Sequence, residues 1–321
     1  MKTNSLAKLA PNRRPTEVGI VRFGQWRRRL LLAALLGLAL RPGGRAVVFL
    51  SSGDPSFNTS APTGALADSG WQWTGNWRGY QGAPIGPHHF LAARHVGGSV
   101  GDEFILDGVH YKTTAYTDDP LSDLRVWATR ETFPSWAPLL RAPVETGRGL
   151  VVFGRGMVRG AEVRANNVLK GWQWAASDGK LRWGQNTVVG YVNAGRNWGE
   201  LAYALFDQAG GPNEASLATG DSSAPVFIND GAGWKLAGVG ATVIGPFNTT
   251  NSGDGFPASI FDGRGLYYTS TPPTGWTLLG GPSPIPAGFF FTRVSVRAAW
   301  IDRIVLAAEP AAGGPAGPPR F

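Results

Sequence analysis

The sequence of 321 residues contains no cysteine. This absence excludes disulfide bonds, thiolate metal sites and a cysteine nucleophile. It does not argue against export, because a chain of this length can bury enough core to fold without covalent cross-links. Charged residues are also scarce, at 16% against 43% hydrophobic residues, a composition that argues against global disorder and makes a packed core feasible.

The net charge of +8 belongs to one end of the chain. Residues 1–45 hold ten Lys and Arg residues and one Glu, a net charge of +9. The rest of the chain holds 20 basic and 21 acidic residues, a net charge of −1. The basic character is therefore that of a leader segment, and the sequence gives no support for nucleic-acid binding.

An apolar run at residues 30–40 has 11 residues, about half of the roughly 20 that a membrane-spanning helix needs. Arginines before the run and small residues after it are typical of a signal peptide, with Gly44-Arg45-Ala46 as a tolerable cleavage site. A buried core helix is the alternative, which the flanking arginines disfavour. We therefore expect residues 1–46 to direct export, with only transient membrane contact, to the periplasm, cell surface or medium. Residues 26–31 also fit a twin-arginine signal loosely.

Glycine (46 residues) and proline (24 residues) are abundant, which favours turns and short strands over long helices. Short apolar segments bounded by Gly, Asp, Asn or Pro are typical of a β-barrel or sandwich, and they occur at residues 90–93, 103–106, 124–127, 150–153, 187–192, 224–228, 234–243 and 289–291. One late apolar stripe predicts a single C-terminal helix, formed by Val294, Ala298, Ile301 and Val305. Residues 306–321 are rich in Ala, Gly and Pro and are expected to be a disordered tail.

The candidate nucleophile lies in a turn of small residues, Gly220-Asp221-Ser222-Ser223-Ala224-Pro225. A serine hydroxyl becomes a nucleophile when a base lies within hydrogen-bond reach and donors await the oxyanion. Gly220 lets the backbone bend so that its N–H and that of Ser222 converge on one point. These two N–H groups are the candidate oxyanion hole. A solvated turn is the alternative interpretation of so short a motif.

Only four histidines are available to serve as the base. His95 stands at the end of an apolar strand and before a glycine pair, a suitable position for a side chain that faces a cleft. The other three fit packing or hairpin roles: His88, His89 and His110. The carboxylate that orients the imidazole is predicted to be Asp123, which directly precedes an apolar strand. Its neighbouring competitors are Asp118 and Asp119.

These motifs resemble those of the trypsin/chymotrypsin-like serine proteases. The turn resembles Gly-Asp-Ser-Gly-Gly-Pro, residues 90–96 resemble the segment around the family's histidine, and residues 122–126 resemble that around its aspartate. Residues 154–156 and 291–301 resemble a glycine turn and the start of the terminal helix, and the order His, Asp, Ser also matches. The resemblance implies an all-β fold of two six-stranded antiparallel β-barrels with a C-terminal α-helix. Residues 47–140 would form a lead-in segment and the first barrel, and residues 141–305 the second.

The function that the resemblance implies is that of an exported serine endopeptidase, which cleaves peptide or protein substrates through an acyl-enzyme without cofactor or metal. Ser216 would form the floor of the primary specificity pocket. Ala241 and Val243 belong to a segment that resembles the one pairing with substrate, and Val243 replaces a frequent glycine, which favours a small or medium apolar P1 residue. Two other functions stay open: an inactive homologue that binds peptides or other ligands, and a Trp-rich sandwich that binds carbohydrate.

Two positions depart from the family pattern within the turn. Ser223 and Ala224 replace two glycines, and a Cβ at a positive φ costs about 1–2 kcal/mol, which we expect such small residues to tolerate. A buried Asp221 would need a partner. That partner would be either an internal arginine or a new chain terminus produced near residues 45–48.

Overall fold

The structure, a computed structural model, describes residues 47–307. The predicted export segment, residues 1–46, and residues 308–321 of the predicted tail lie outside the described residues. Residues 306 and 307, which were also predicted to belong to a disordered tail, are helical. Two closed six-stranded antiparallel barrels dominate the described part, and one α-helix follows them, so the predicted fold class is confirmed. No helix within residues 47–307 combines the length and the apolar character needed to cross a membrane.

The first barrel is formed by strands from residues 75–129. Strand β1 (Val48–Phe49) precedes it, and the barrel strands are β2 (Gly75–Trp77), β3 (Tyr80–Gly86), β4 (His89–Ala93), β5 (Glu103–Leu106), β6 (Val109–Asp118) and β7 (Leu124–Thr129). Their order around the barrel is β2-β3-β4-β7-β6-β5. Strand β4 is buried along its whole length because it lies where the two barrels meet.

The remaining strands build the second barrel and two smaller sheets, except β13, which pairs with β1 in a two-stranded sheet. They are β8 (Gly149–Gly154), β9 (Val158–Ala165), β10 (Val168–Ala175), β11 (Arg182–Asn193), β12 (Glu200–Leu205), β13 (Ala215–Ser216), β14 (Pro225–Asn229), β15 (Trp234–Val243), β16 (Phe247–Asn248), β17 (Ala258–Ile260), β18 (Tyr267–Tyr268), β19 (Thr277–Leu278) and β20 (Gly288–Arg293). The barrel order is β11-β12-β20-β15-β14-β8. Two three-stranded sheets, β17-β10-β9 and β16-β18-β19, lie outside the barrel and were not predicted from the sequence.

Stacked aromatic rings fill the first barrel in a chain that has no disulfide. Phe90 stacks on Phe104 with ring centroids 4.3 Å apart, and Trp77 meets Trp127 at 4.7 Å. All four side chains are fully buried. Aromatic residues bury about 150–250 Å² each, so a few such contacts supply much of the hydrophobic stabilisation of a small barrel.

The lead-in segment before β2 joins the two barrels. Its two tryptophans lie in a short 3₁₀ turn, Trp71–Trp73. Trp73 stacks on Phe227 of the second barrel at 6.0 Å, and Trp71 meets Phe153 edge-on at 6.3 Å. The lead-in segment therefore packs against the second barrel before the chain enters the first.

The C-terminal helix α1 (Ala298–Ala307) begins later than the apolar stripe suggested. Val294 is buried but follows β20 directly, whereas Ile301 is the fully buried residue of the helix itself. The end of β20, just before the helix, is stabilised by ion pairs. Arg293, itself 3% exposed, pairs with buried Glu145 at 2.7 Å and with Glu200 at 2.6 Å.

Candidate active site

The side chains of His95 and Asp123 form a close pair at the end of β4. The chain leaves β4 through the 3₁₀ turn Arg94–Val96, and the N–H of Arg94 donates to the carbonyl of Asp123 at 2.8 Å. The N–H of His95 donates to Asp123 Oδ1 at 3.0 Å, and its Nδ1 lies 2.5 Å from Oδ2. Main chain and side chain of Asp123 thus fix both the position and the ring orientation of His95.

The other ring nitrogen of His95 is free to act on a further group. Nε2 is buried and has no hydrogen-bond partner within residues 47–307. Only 3% of the Asp123 side chain is exposed, against 18% for His95. An imidazole held at Nδ1 by a buried carboxylate presents Nε2 as the proton acceptor, provided that Nδ1 carries the proton.

The turn that carries Ser222 is defined by its main-chain hydrogen bonds. The N–H of Asp221 donates to Ala218 O at 3.0 Å, and the N–H of Ala224 donates to Asp221 O at 3.0 Å. Gly220 has a φ of 93°, which glycine adopts without strain. Ser222 is partly exposed, as a nucleophile must be, whereas its neighbour Ser223 is buried.

The structure brings this turn beside the histidine strand. The Ser223 hydroxyl accepts a hydrogen bond at 2.9 Å from the N–H of Ala93, two residues before His95. No hydrogen bond joins Ser222 Oγ to His95 Nε2 within the described residues. The convergence of these two atoms, and the oxyanion hole of Gly220 and Ser222, therefore stay predictions.

Asp221 is 2% exposed and receives hydrogen bonds from main-chain groups. The N–H groups of Gly156 and Ala218 donate to its carboxylate at 2.5 and 2.9 Å. Burial nonetheless raises the pKa of Asp221 to about 7. A Cβ added to Gly154 would meet Asp221 Oδ1 at 2.2 Å and a methyl group of Val47 at 3.0 Å, so buried Val47 lies next to the aspartate.

The three residues predicted to contact substrate lie in the second barrel. Ser216 is buried in β13, pairs with Val48 of β1 and donates its hydroxyl to Leu217 O at 3.1 Å. Ala241 is buried against the two smaller sheets, and partly buried Val243 stands opposite Phe289 in the ladder of β15 and β20. A substrate role for these residues stays a prediction.

Sequence reasoning missed a loop of the second barrel that reaches over the histidine. The Arg94 guanidinium donates to Asn197 O at 2.9 Å and to Asp119 O at 3.3 Å. The adjoining Trp198 ring lies 5.8 Å from the His95 ring. The high count of 13 tryptophans was the available signal, but composition does not say which one meets the imidazole.

The described residues offer no obvious metal centre. Within residues 47–307, no group of three or more His, Cys, Asp or Glu side chains is arranged to hold a metal ion. The polar groups at the site are instead an imidazole, a buried carboxylate and a turn with a partly exposed serine. This set of groups is suited to proton transfer and nucleophilic attack.

The chain is similar to solved structures at low sequence identity. No family model and no curated protein matches the sequence. Among solved structures, a mutant of human heparin binding protein (CAP37) is 16% identical over 76% of this chain and 95% of that chain, with a TM-score of 0.47. An inactive form of a serine-to-alanine mutant of Rv3671c from M. tuberculosis is 14% identical over 79% and 98%, with a TM-score of 0.41. The two closed six-stranded barrels and the terminal helix are those of the chymotrypsin-like fold.

Proposed function

We propose that this protein is an exported serine endopeptidase that cleaves peptide bonds through an acyl-enzyme on Ser222. The observation that carries the proposal is the His95–Asp123 pair, 2.5 Å apart, with Nε2 left unpaired. A carboxylate in this position holds the imidazole in the tautomer that accepts a proton at Nε2 and stabilises the imidazolium that forms. The two-barrel fold supports the proposal because the turn of Ser222 in the second barrel is hydrogen-bonded to the end of β4 in the first.

The proposed steps follow from these groups. His95 Nε2 takes the proton of the Ser222 hydroxyl as Oγ attacks the peptide carbonyl, and the N–H groups of Gly220 and Ser222 bind the oxyanion. His95 then donates that proton to the leaving amine, which departs and leaves the acyl-enzyme. A water molecule, deprotonated by the same imidazole, then attacks the acyl carbon. The bond from the acyl carbon to Ser222 Oγ breaks, the acid leaves, and His95 returns the proton to Oγ. Asp123 orients the imidazole through Nδ1 in both halves of the reaction.

The test is labelling with a fluorophosphonate probe, together with hydrolysis of a peptide ester that has a small P1 residue. Ser222→Ala and His95→Ala should each abolish labelling, because nucleophile and base act as a unit. Asp123→Asn should keep the fold and lower kcat by roughly 10⁴, since the imidazole then prefers the wrong tautomer. His110→Ala is the matched control: its Nδ1 lies 2.7 Å from Glu103, but both side chains are about half exposed.

Equal labelling of wild type and Ser222→Ala would refute Ser222 as the nucleophile. If the correctly folded wild-type protein neither reacts with the fluorophosphonate probe nor hydrolyses any ester, the protease proposal is refuted. The function would then be that of an inactive homologue that binds peptides or other ligands. A loss of activity in His110→Ala equal to that in His95→Ala would show that any histidine–carboxylate pair matters, and would remove the special role of His95.

A further inference from the structure

The residue after the proposed nucleophile has an unusual environment. Ser223 is 1% exposed and has a φ of 67°, a conformation that glycine adopts freely and a side chain disfavours. Its own N–H donates to Gly240 O at 2.8 Å. Its hydroxyl accepts from the N–H of Ala93 at 2.9 Å. Ser223 thus carries a side chain at a backbone conformation that glycine would adopt without strain, and its hydroxyl makes a specific hydrogen bond to Ala93.

This contact joins the two barrels. Ala93 ends β4 of the first barrel, and Ser223 lies 130 positions away in the turn before β14 of the second. The N–H of Ala93 is directed at the hydroxyl, whereas the next N–H, that of Arg94, donates to Asp123 O. Because Ala93 is 1% exposed, its N–H would have no access to bulk water if the hydroxyl were removed.

The chain on either side of this hydrogen bond leads directly to the reacting groups. Ser222 is the residue before Ser223, and His95 is the second residue after Ala93. The N–H of His95 is itself hydrogen-bonded to Asp123. The hydrogen bond from Ala93 to the Ser223 hydroxyl therefore links the nucleophile and the base through only a few residues. The hydroxyl does not touch the reacting atoms. Misplacement of a catalytic group by about 1 Å lowers rates by about 100-fold, so a small shift of one barrel against the other would be measurable.

We propose that Ser223 is a positioning residue, whose hydroxyl holds the Ser222 turn in register with the His95 strand across the barrel interface. The inference rests on the proposed function. It assigns to the second serine of the motif a role separate from nucleophilic attack. It also explains why a side chain occupies a backbone position that favours glycine.

The test compares Ser223→Gly and Ser223→Ala with wild type. Glycine is the safer variant, since it adopts a φ of 67° without strain and should keep the fold. In both variants the second-order rate constant of fluorophosphonate labelling at Ser222 should fall by about 10- to 100-fold. For the peptide ester, kcat should fall by the same factor while KM changes little, because substrate contacts are retained. The Ala93 N–H should exchange with deuterium faster than in wild type.

Ser259→Ala is the matched control. Ser259 is also 1% exposed and its hydroxyl accepts a single N–H, that of the Trp174 indole, at 2.9 Å, but it lies in β17 away from His95. It should lose stability to a similar extent and retain the wild-type labelling rate. A Ser223→Gly protein that labels as fast as wild type, or that slows no more than Ser259→Ala, overturns the positioning role alone. An unreactive wild-type protein overturns the proposed function and the positioning role together.

Discussion

Replacing Glu214 by glutamine should remove a pH dependence of stability that this buried carboxyl creates. Glu214 is 5% exposed at the base of β13. Its Oε1 accepts from the Asn186 amide at 2.9 Å and from the N–H of Asp207 at 3.0 Å. Burial raises the pKa of Glu214 from 4.5 to about 8, against the opposing effect of the Asp207 N–H. The side chain is therefore neutral in the folded protein near pH 7, and glutamine is close in shape to this protonated form.

The sign and size of the effect follow from proton linkage. Because the folded pKa lies above the unfolded one, the stability that Glu214 contributes is fully present below pH 4.5 and is lost as the pH rises through 8. The loss amounts to about 1.4 kcal/mol per pH unit between those limits. Over the full interval it reaches about 5 kcal/mol, an upper limit because the surrounding loop can relax around the ionised group.

The assay is urea unfolding of wild type and Glu214→Gln at pH 5, 6, 7, 8 and 9. The difference in unfolding free energy, wild type minus variant, should fall by about 1.4 kcal/mol per unit from pH 5 and flatten near pH 8. Asp221 titrates in the same direction in both proteins, so its effect cancels. Glu162→Gln, at a half-exposed glutamate, should show no such slope. A difference that stays constant from pH 5 to 8 would refute the reasoning, because it would mean that Glu214 is ionised in the folded protein.

Three further predictions concern other parts of the chain. Gly156→Ala should destabilise the protein by more than about 2 kcal/mol in urea unfolding, because the new methyl group would lie 2.4 Å from the Asp221 carboxylate, while Gly149→Ala, with open space around it, should be neutral. Arg293→Met should lower the unfolding free energy by about 3–5 kcal/mol, because it leaves a buried glutamate unpaired; an unchanged urea midpoint would contradict this. Export should remove residues 1–46 or nearly so, and mass spectrometry of the secreted protein that finds an intact initiator methionine would count against it.

Local patterns predicted most of the barrel strands, whereas the arrangement in two six-stranded barrels was implied by the resemblance to the trypsin/chymotrypsin-like serine proteases. Alternating and continuous apolar segments predicted β5 and β15 to the residue and most of the other barrel strands, because residues on a strand that faces a core are apolar regardless of what they pack against. The sheets formed by β9, β10 and β16–β19 were missed. Their strands are short, or are interrupted by bulges and mix buried with exposed residues, so their pattern is weak.

For the site, the sequence determined the residue types and their order: His95, Asp123 and then Ser222. Only the tertiary structure decided that the Ser223 hydroxyl meets the Ala93 N–H, and that Trp198 lies beside the imidazole. Closing the two barrels brings together segments about 100 to 130 positions apart. A pattern along the chain records which face of a strand is apolar, whereas the partner of a buried polar atom depends on how two separately closed barrels pack against each other.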